Sequence, residues 1–248
     1  MKDELIIVNH IGTSVESVID DELGLLVEDI KKAMTSDTIL AFSSGRAIDQ
    51  LAQKNITIDH INDSILWAAR NYKVIKVLTT HLVGGVDYER VKSFCEEKAK
   101  EFIGHDMKTD IVLIQPLLTE IENILQLVHT IATVIQEQNM HILFVGHGTT
   151  HHSEIFYGYF IEAYKKVWPD INFITLNTNL EEDIKNLPKE MVLFPLLTVN
   201  GYHVQKDIFD GENSIYNKLT KLGTKVYKYD RGLLSYEEIR KLYVNALK

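Results

Sequence analysis

Four consecutive apolar residues, Ile142 to Val145, run into Gly146 and then into His147-Gly148-Thr149-Thr150-His151-His152. A run this short and this continuously apolar has the length of a strand buried on both faces, and the glycine ends it. The histidines therefore sit at a strand's carboxyl end, where open α/β sheets bind ligands. Glycines there let the backbone approach a ligand, and the threonines suit a helix cap. The stretch reads as a strand that aims an imidazole.

The same unit recurs along the chain. LIIV (5–8), TILAF (38–42), VIKVLTT (74–80) and DIVLI (110–114) alternate with helical patterns over 15–33, from Asp59 or Asn62 to about Asn71, around Cys95, and from Ile121 to Ile135. After ILFV come a helix over 155–167, the strand NFITL (172–176), a short helix near Leu180 to Leu187, the strand MVLF (191–194) and the loop PLLTVNGYHVQKD. A helix over 214–222, the strand KVYKY and a last helix over 236–247 close the series. Strand and helix in alternation predict an α/β protein with parallel sheets covered on both faces. The length accommodates two lobes of about 120 residues. The expected division is an amino-terminal α/β lobe over 1–125 and a carboxyl-terminal α/β lobe over 126–248.

Two internal matches suggest that the halves are copies. IIVNHIGTS matches ILFVGHGTT, and LTTHLVGGVDYE resembles LLTVNGYHVQKD, placing Gly85 over Gly201. Both occur in the same order just after a strand. If the halves correspond, four loops face one another across a cleft between the lobes, with His147 and His203 pointing into it.

Charge narrows the partners. With 26 Lys and Arg against 35 Asp and Glu, the net charge is −9, and no basic patch suited to nucleic acid or a membrane surface is evident. The amino terminus lacks the apolar run of a secretory signal and no stretch nears the roughly 18 apolar residues of a membrane span, so a cytoplasmic protein is expected. The lone Cys95 excludes an internal disulfide and lies on an apolar helical face, as a core thiol would.

Two histidines on matched glycine loops suit a divalent cation. Neutral imidazole is a good ligand for Co2+, Ni2+, Fe2+ or Zn2+, and its reference pKa near 6.5 also lets it accept protons. Few protein ligands leave coordination positions open, as a metal in transit requires. The plain alternative is that each imidazole caps a helix or bonds a carbonyl.

GHGTTHH (146–152), followed by TVNGYHVQKDI (198–208), resembles the anaerobic cobalt chelatases of cobalamin biosynthesis, which insert Co2+ into sirohydrochlorin. The GTS (12–14), FSSG (42–45), LTTHLVGGVDYE (78–89) and QPLL (115–118) segments look like that family too, so the similarity spans nearly the whole chain. The resemblance implies a fold of two similar lobes, each a mostly parallel sheet flanked by helices, with the tetrapyrrole in the cleft between them and no nucleotide requirement. It makes His147 the metal ligand that also accepts pyrrole protons and His203 the second metal ligand. Asn177 stands where the family has a carboxylate ligand, which leaves a weaker, neutral donor unless Glu181 or Glu182 substitutes. His10 stands where a small hydroxyl residue is usual. Ring contacts are expected from Thr13, Ser14, Ser43, Ser44, His81, Gly84, Gly85, Gly201 and Tyr202, with Arg46 as a cationic partner for the ring carboxylates.

Other readings stay open: a chelatase for Fe2+ or Ni2+, a tetrapyrrole or metal carrier without catalysis, or a dinucleotide enzyme, although no GxGxxG follows the first strand. Assembly into a homo-oligomer is also left open, because periodicity does not separate a dimer face from a buried one.

Overall fold

The computed structural model describes residues 1–104, 108–136, 139–177, 184 and 187–248. Two parallel sheets organise it. The first contains β1 (Lys2–His10), β2 (Asp37–Phe42), β3 (Asp59–His60), β4 (Tyr72–Thr79) and β5 (Asp110–Ile114) in the order β3-β2-β1-β4-β5. The second contains β6 (His141–Gly146), β7 (Ile171–Thr175), β8 (Glu190–Leu196) and β9 (Lys225–Lys228) in the order β7-β6-β8-β9. The expected two-sheet α/β architecture is what forms.

The apolar runs are continuous because each strand feeds two layers. In β1, Leu5 and Ile7 join one hydrophobic cluster while Ile6 and Val8 join another. In β6, Leu143 and Val145 face one cluster and Ile142 and Phe144 the opposite one. The cluster shared by Ile6, Val8, Ile142 and Phe144 also takes in residues of helices Leu25–Ala33, Ile121–Val134, Ile155–Val167 and Glu237–Asn245, so one core runs between the sheets. Fully buried Phe144 meets Phe160, Tyr164 and Phe194 edge-on at 5.6, 4.8 and 5.6 Å. Each such pair adds about 0.5–1.5 kcal/mol beyond area burial, which anchors the strand that leads into His147.

The last helix crosses back to the first half. Arg240 Nε donates to Asp29 at 2.6 Å, and Tyr243 Oη donates to the Thr80 carbonyl at 3.2 Å. A division at 125 falls inside helix Ile121–Val134.

Several local details differ from the sequence reading. The helix expected from Asp59 or Asn62 runs over Ile61–Ala68, and its cap is His60, whose Nδ1 accepts from the Asn62 amide. A further helix, Gly45–Ala52, follows β2, capped by Ser44. The helical run over 16–33 contains a π-helical segment, Ile19–Gly24, and the loop after β8 contains another, His203–Asp210. The helix expected near Leu180 to Leu187, together with Glu181 and Glu182, falls largely outside the described residues.

Candidate metal and macrocycle cleft

In both sheets the strand order reverses at one point, between β1 and β4 and between β6 and β8. Chains diverge there and leave a crevice at the carboxyl ends of the strands. The four loops that follow these strands line one cleft of about 600 Å3. They meet in crossed pairs: a Cβ on Gly201 would lie 3.7 Å from Thr13 Oγ1, and one on Gly85 would lie 3.4 Å from Thr149 Oγ1. The four loops thus meet across one cleft, each touching the loop that its own counterpart's neighbour forms rather than its counterpart.

His147 and His203 come together on one wall, their ring centroids 4.9 Å apart and their planes at 81°. His147 Nδ1 lies 2.9 Å from the Gly148 carbonyl. A carbonyl only accepts, so Nδ1 carries the proton and Nε2 keeps its lone pair. His203 Nδ1 lies 2.6 Å from Asp207 Oδ2, and the carboxylate fixes the same tautomer. Both rings therefore offer Nε2, from an exposed position that a hydrated ion can reach.

Gly148 makes this possible. Its φ is +79°, and a Cβ there would fall 2.8 Å from Thr175 and 3.2 Å from Asn177 Nδ2. Only glycine adopts that backbone without strain. Asn177 is exposed and lines the cleft beside His147. The two imidazoles and Asn177 also line a second, outer groove that carries Lys206, Asp207 and Glu212.

On the opposite wall lie His10 and His81. His10 is 4% exposed, shares a 2.7 Å hydrogen bond through Nδ1 with Thr80 Oγ1, and sits edge-on to Phe42 at 5.9 Å. Burial first, and then the neighbouring His81, pull its pKa down to about 3. Both ring nitrogens of His81 are covered and have no hydrogen-bond partner among the described residues, and burial lowers its pKa to about 4. Both rings are thus held neutral.

Of the expected ring contacts, Thr13, Ser14, Ser44, His81, Gly85, Gly201 and Tyr202 line the cleft, as does Arg46. Ser43 and Gly84 do not: the Ser43 hydroxyl is buried with no hydrogen-bond partner among the described residues, and the Cβ position of Gly84 faces the Tyr88 ring. Arg46 is the one lysine or arginine in the described lining and Asp87 the one carboxylate. The apolar lining residues Ile11, Leu82, Val83, Val86, Leu196 and Leu197 were not singled out in sequence, since apolar residues after a strand read as core. His151 and His152 open the next helical turn, their rings 3.8 Å apart, and lie outside the described lining. Cys95 is buried, with its pKa pushed up to about 12 by burial, as a core thiol.

The family described as Cobalt chelatase (CbiK) matches residues 4–248. A search of curated proteins found no match. Among solved structures, SirB from Bacillus subtilis with Fe3+ superposes with a TM-score of 0.63 at 13% identity, over 100% of this chain and 94% of that one. The sirohydrochlorin chelatase SirB from Bacillus subtilis subspecies spizizenii, in complex with cobalt, gives 0.63 at 13% identity over 99% and 93% of the two chains. CbiX, described as the terminal enzyme for biosynthesis of siroheme in denitrifying bacteria, gives 0.59 at 10% identity over 98% and 97%. At these identities the structures share the fold.

Proposed function

The chain belongs to the CbiK cobalt chelatase family, and from that premise we propose that it inserts Co2+ into sirohydrochlorin, without a nucleotide, in the cleft between its two sheets. The observation that supports this reading is the pair of imidazoles from separate loops, their centroids 4.9 Å apart and each with Nδ1 engaged by an oxygen, which leaves Nε2 as the free nitrogen. Structures of similar fold include a sirohydrochlorin chelatase bound to cobalt, which supports the choice of substrates.

In this account the metal is a substrate. Nε2 of His147 and of His203 replace part of its water shell, and Asn177 offers a neutral amide oxygen in place of a carboxylate. Three neutral donors hold the ion without cancelling its charge, which favours its transfer to the macrocycle dianion. The macrocycle lies against the glycine loops, and its two inner N–H protons leave as metal–nitrogen bonds form. The Nε2 atoms of His147 and His203, freed as the metal departs, each take one of those two protons and pass it to solvent, for which their exposed positions suit them. Arg46 and the hydroxyls of Thr13, Ser14 and Ser44 serve the peripheral carboxylates. Holding ring and ion in register is the main catalytic contribution.

Anaerobic mixing of the protein with sirohydrochlorin and Co2+, Fe2+ or Ni2+ in turn, followed by absorption, tests the proposal. Insertion faster than the uncatalysed rate, fastest with Co2+, is expected. Bound pigment without acceleration would instead identify a carrier.

A further inference from the structure

Glu22 is a carboxylate with only 5% of its surface exposed, set in the π-helical segment Ile19–Gly24 of the first half. Its donors among the described residues come from the second half: the Asn200 amide donates to Oε2 at 2.8 Å, the Ser235 hydroxyl to Oε1 at 3.0 Å, and the Gly232 amide also bonds it. Asn200 belongs to the loop that carries Tyr202 and His203. Backbone packing ties that loop to the turn bearing Gly232: a Cβ at Gly232 would lie 2.3 Å from Val199, and the Leu233 and Leu234 amides donate to the Leu197 and Thr198 carbonyls at 2.9 and 2.8 Å. A buried charge is costly unless hydrogen bonds compensate it, so these donors and the carboxylate hold each other in place. An isolated acidic residue inside a core is otherwise rare. Here it joins the half that supplies the His10 and His81 wall to the loop that supplies the metal wall.

We propose that Glu22 is a positioning residue for metal insertion, a latch that sets the His203 loop in register with the opposite wall of the cleft. The proposal rests on the chelatase reading above. His147 and His203 both follow strands of the second sheet, so breaking the latch leaves the imidazole pair itself intact and displaces it relative to a bound macrocycle. The ion pair of Asp29 with Arg240 provides a control: it also joins the two halves, and Asp29→Asn leaves in place both Glu22 and the bonds of Arg240 Nη1 to the Leu234 and Ser235 carbonyls.

The test compares Glu22→Gln, Glu22→Asp and Asp29→Asn with the unaltered full chain. Amide hydrogen exchange at Asn200 reads the bond directly, and in Glu22→Gln it accelerates by about tenfold or more. Binding of Co2+ alone stays within about twofold, since the bonds that fix the two imidazoles, to the Gly148 carbonyl and to Asp207, do not involve Glu22. The turnover number for insertion falls by roughly tenfold to a hundredfold, as expected for a reacting centre displaced by about 1 Å. Glu22→Asp recovers part of the rate, and it carries the test should the glutamine variant fail to fold. Asp29→Asn lowers the thermal midpoint but spares turnover. A folded Glu22→Gln protein with unchanged turnover, or an equal loss in Asp29→Asn, overturns the proposal. If the unaltered chain inserts no metal, the chelatase reading fails, while unchanged exchange at Asn200 in Glu22→Gln overturns the latch independently.

Discussion

His203 turns its Nδ1 onto Asp207 Oδ2 at 2.6 Å, four residues further along one π-helical segment. The two side chains are 50% and 42% exposed, so the pair contributes little to stability. Its effect is on orientation: a carboxylate behind an imidazole fixes the tautomer and the direction of the ring. Asp207→Ala is expected to weaken Co2+ binding by about 10- to 100-fold. The Michaelis constant for Co2+ rises while that for sirohydrochlorin stays unchanged, which steady-state kinetics with each substrate varied in turn will measure.

Asn177 sets how firmly the ion is held. Replacing it with Asp adds a negative donor beside His147, and in this open, wet setting the added attraction for a divalent ion is about 2 kcal/mol. Tighter Co2+ binding with slower turnover is expected, read by metal titration and by single-turnover absorption. Equal affinity in the two proteins would place Asn177 outside the coordination sphere.

Gly148→Ala tests whether the loop needs its unusual backbone. With φ at +79° and a Cβ that would fall 2.8 Å from Thr175, the loop must shift, carrying His147 with it. The cost is about 1 kcal/mol or more in stability, with a larger loss of insertion rate. Chemical denaturation and the insertion assay on the same sample separate the two effects.

Stability should fall in acid through the cleft's buried histidines. The pKa values of His10 and His81 are lowered to about 3 and about 4, against an ordinary value of 6.5. The unfolded chain therefore takes up protons that the folded one refuses, and stability is complete above pH 6.5 and lost progressively below it. The loss is about 3 kcal/mol per histidine by pH 4. Urea unfolding from pH 7 to 4 checks this: His10→Asn flattens the dependence, and parallel curves for the two proteins would contradict the assignment.

Strands buried on both faces and the loops after them were legible in sequence, because LIIV and ILFV alternate between two apolar layers and break at Asn9 and at Gly146. Helix Gly45–Ala52 was not legible, since it buries only Ala47 and Leu51 and so offers no sustained periodicity. The π-helical segments escape a 3.6-residue period by their nature. Glu22 gave no local signal either: its donors Asn200 and Ser235 lie 178 and 213 positions away, and an acidic residue in a helical pattern reads as solvent-facing.

The central claim is that two imidazoles bind one exchangeable cation through Nε2. Anomalous scattering from a crystal soaked in Co2+ tests it most directly. The account predicts one cobalt peak bound by Nε2 of both His147 and His203, at about 2.0–2.1 Å as for other first-row ions. Cobalt held at other residues, with those two nitrogens left unligated, would contradict it.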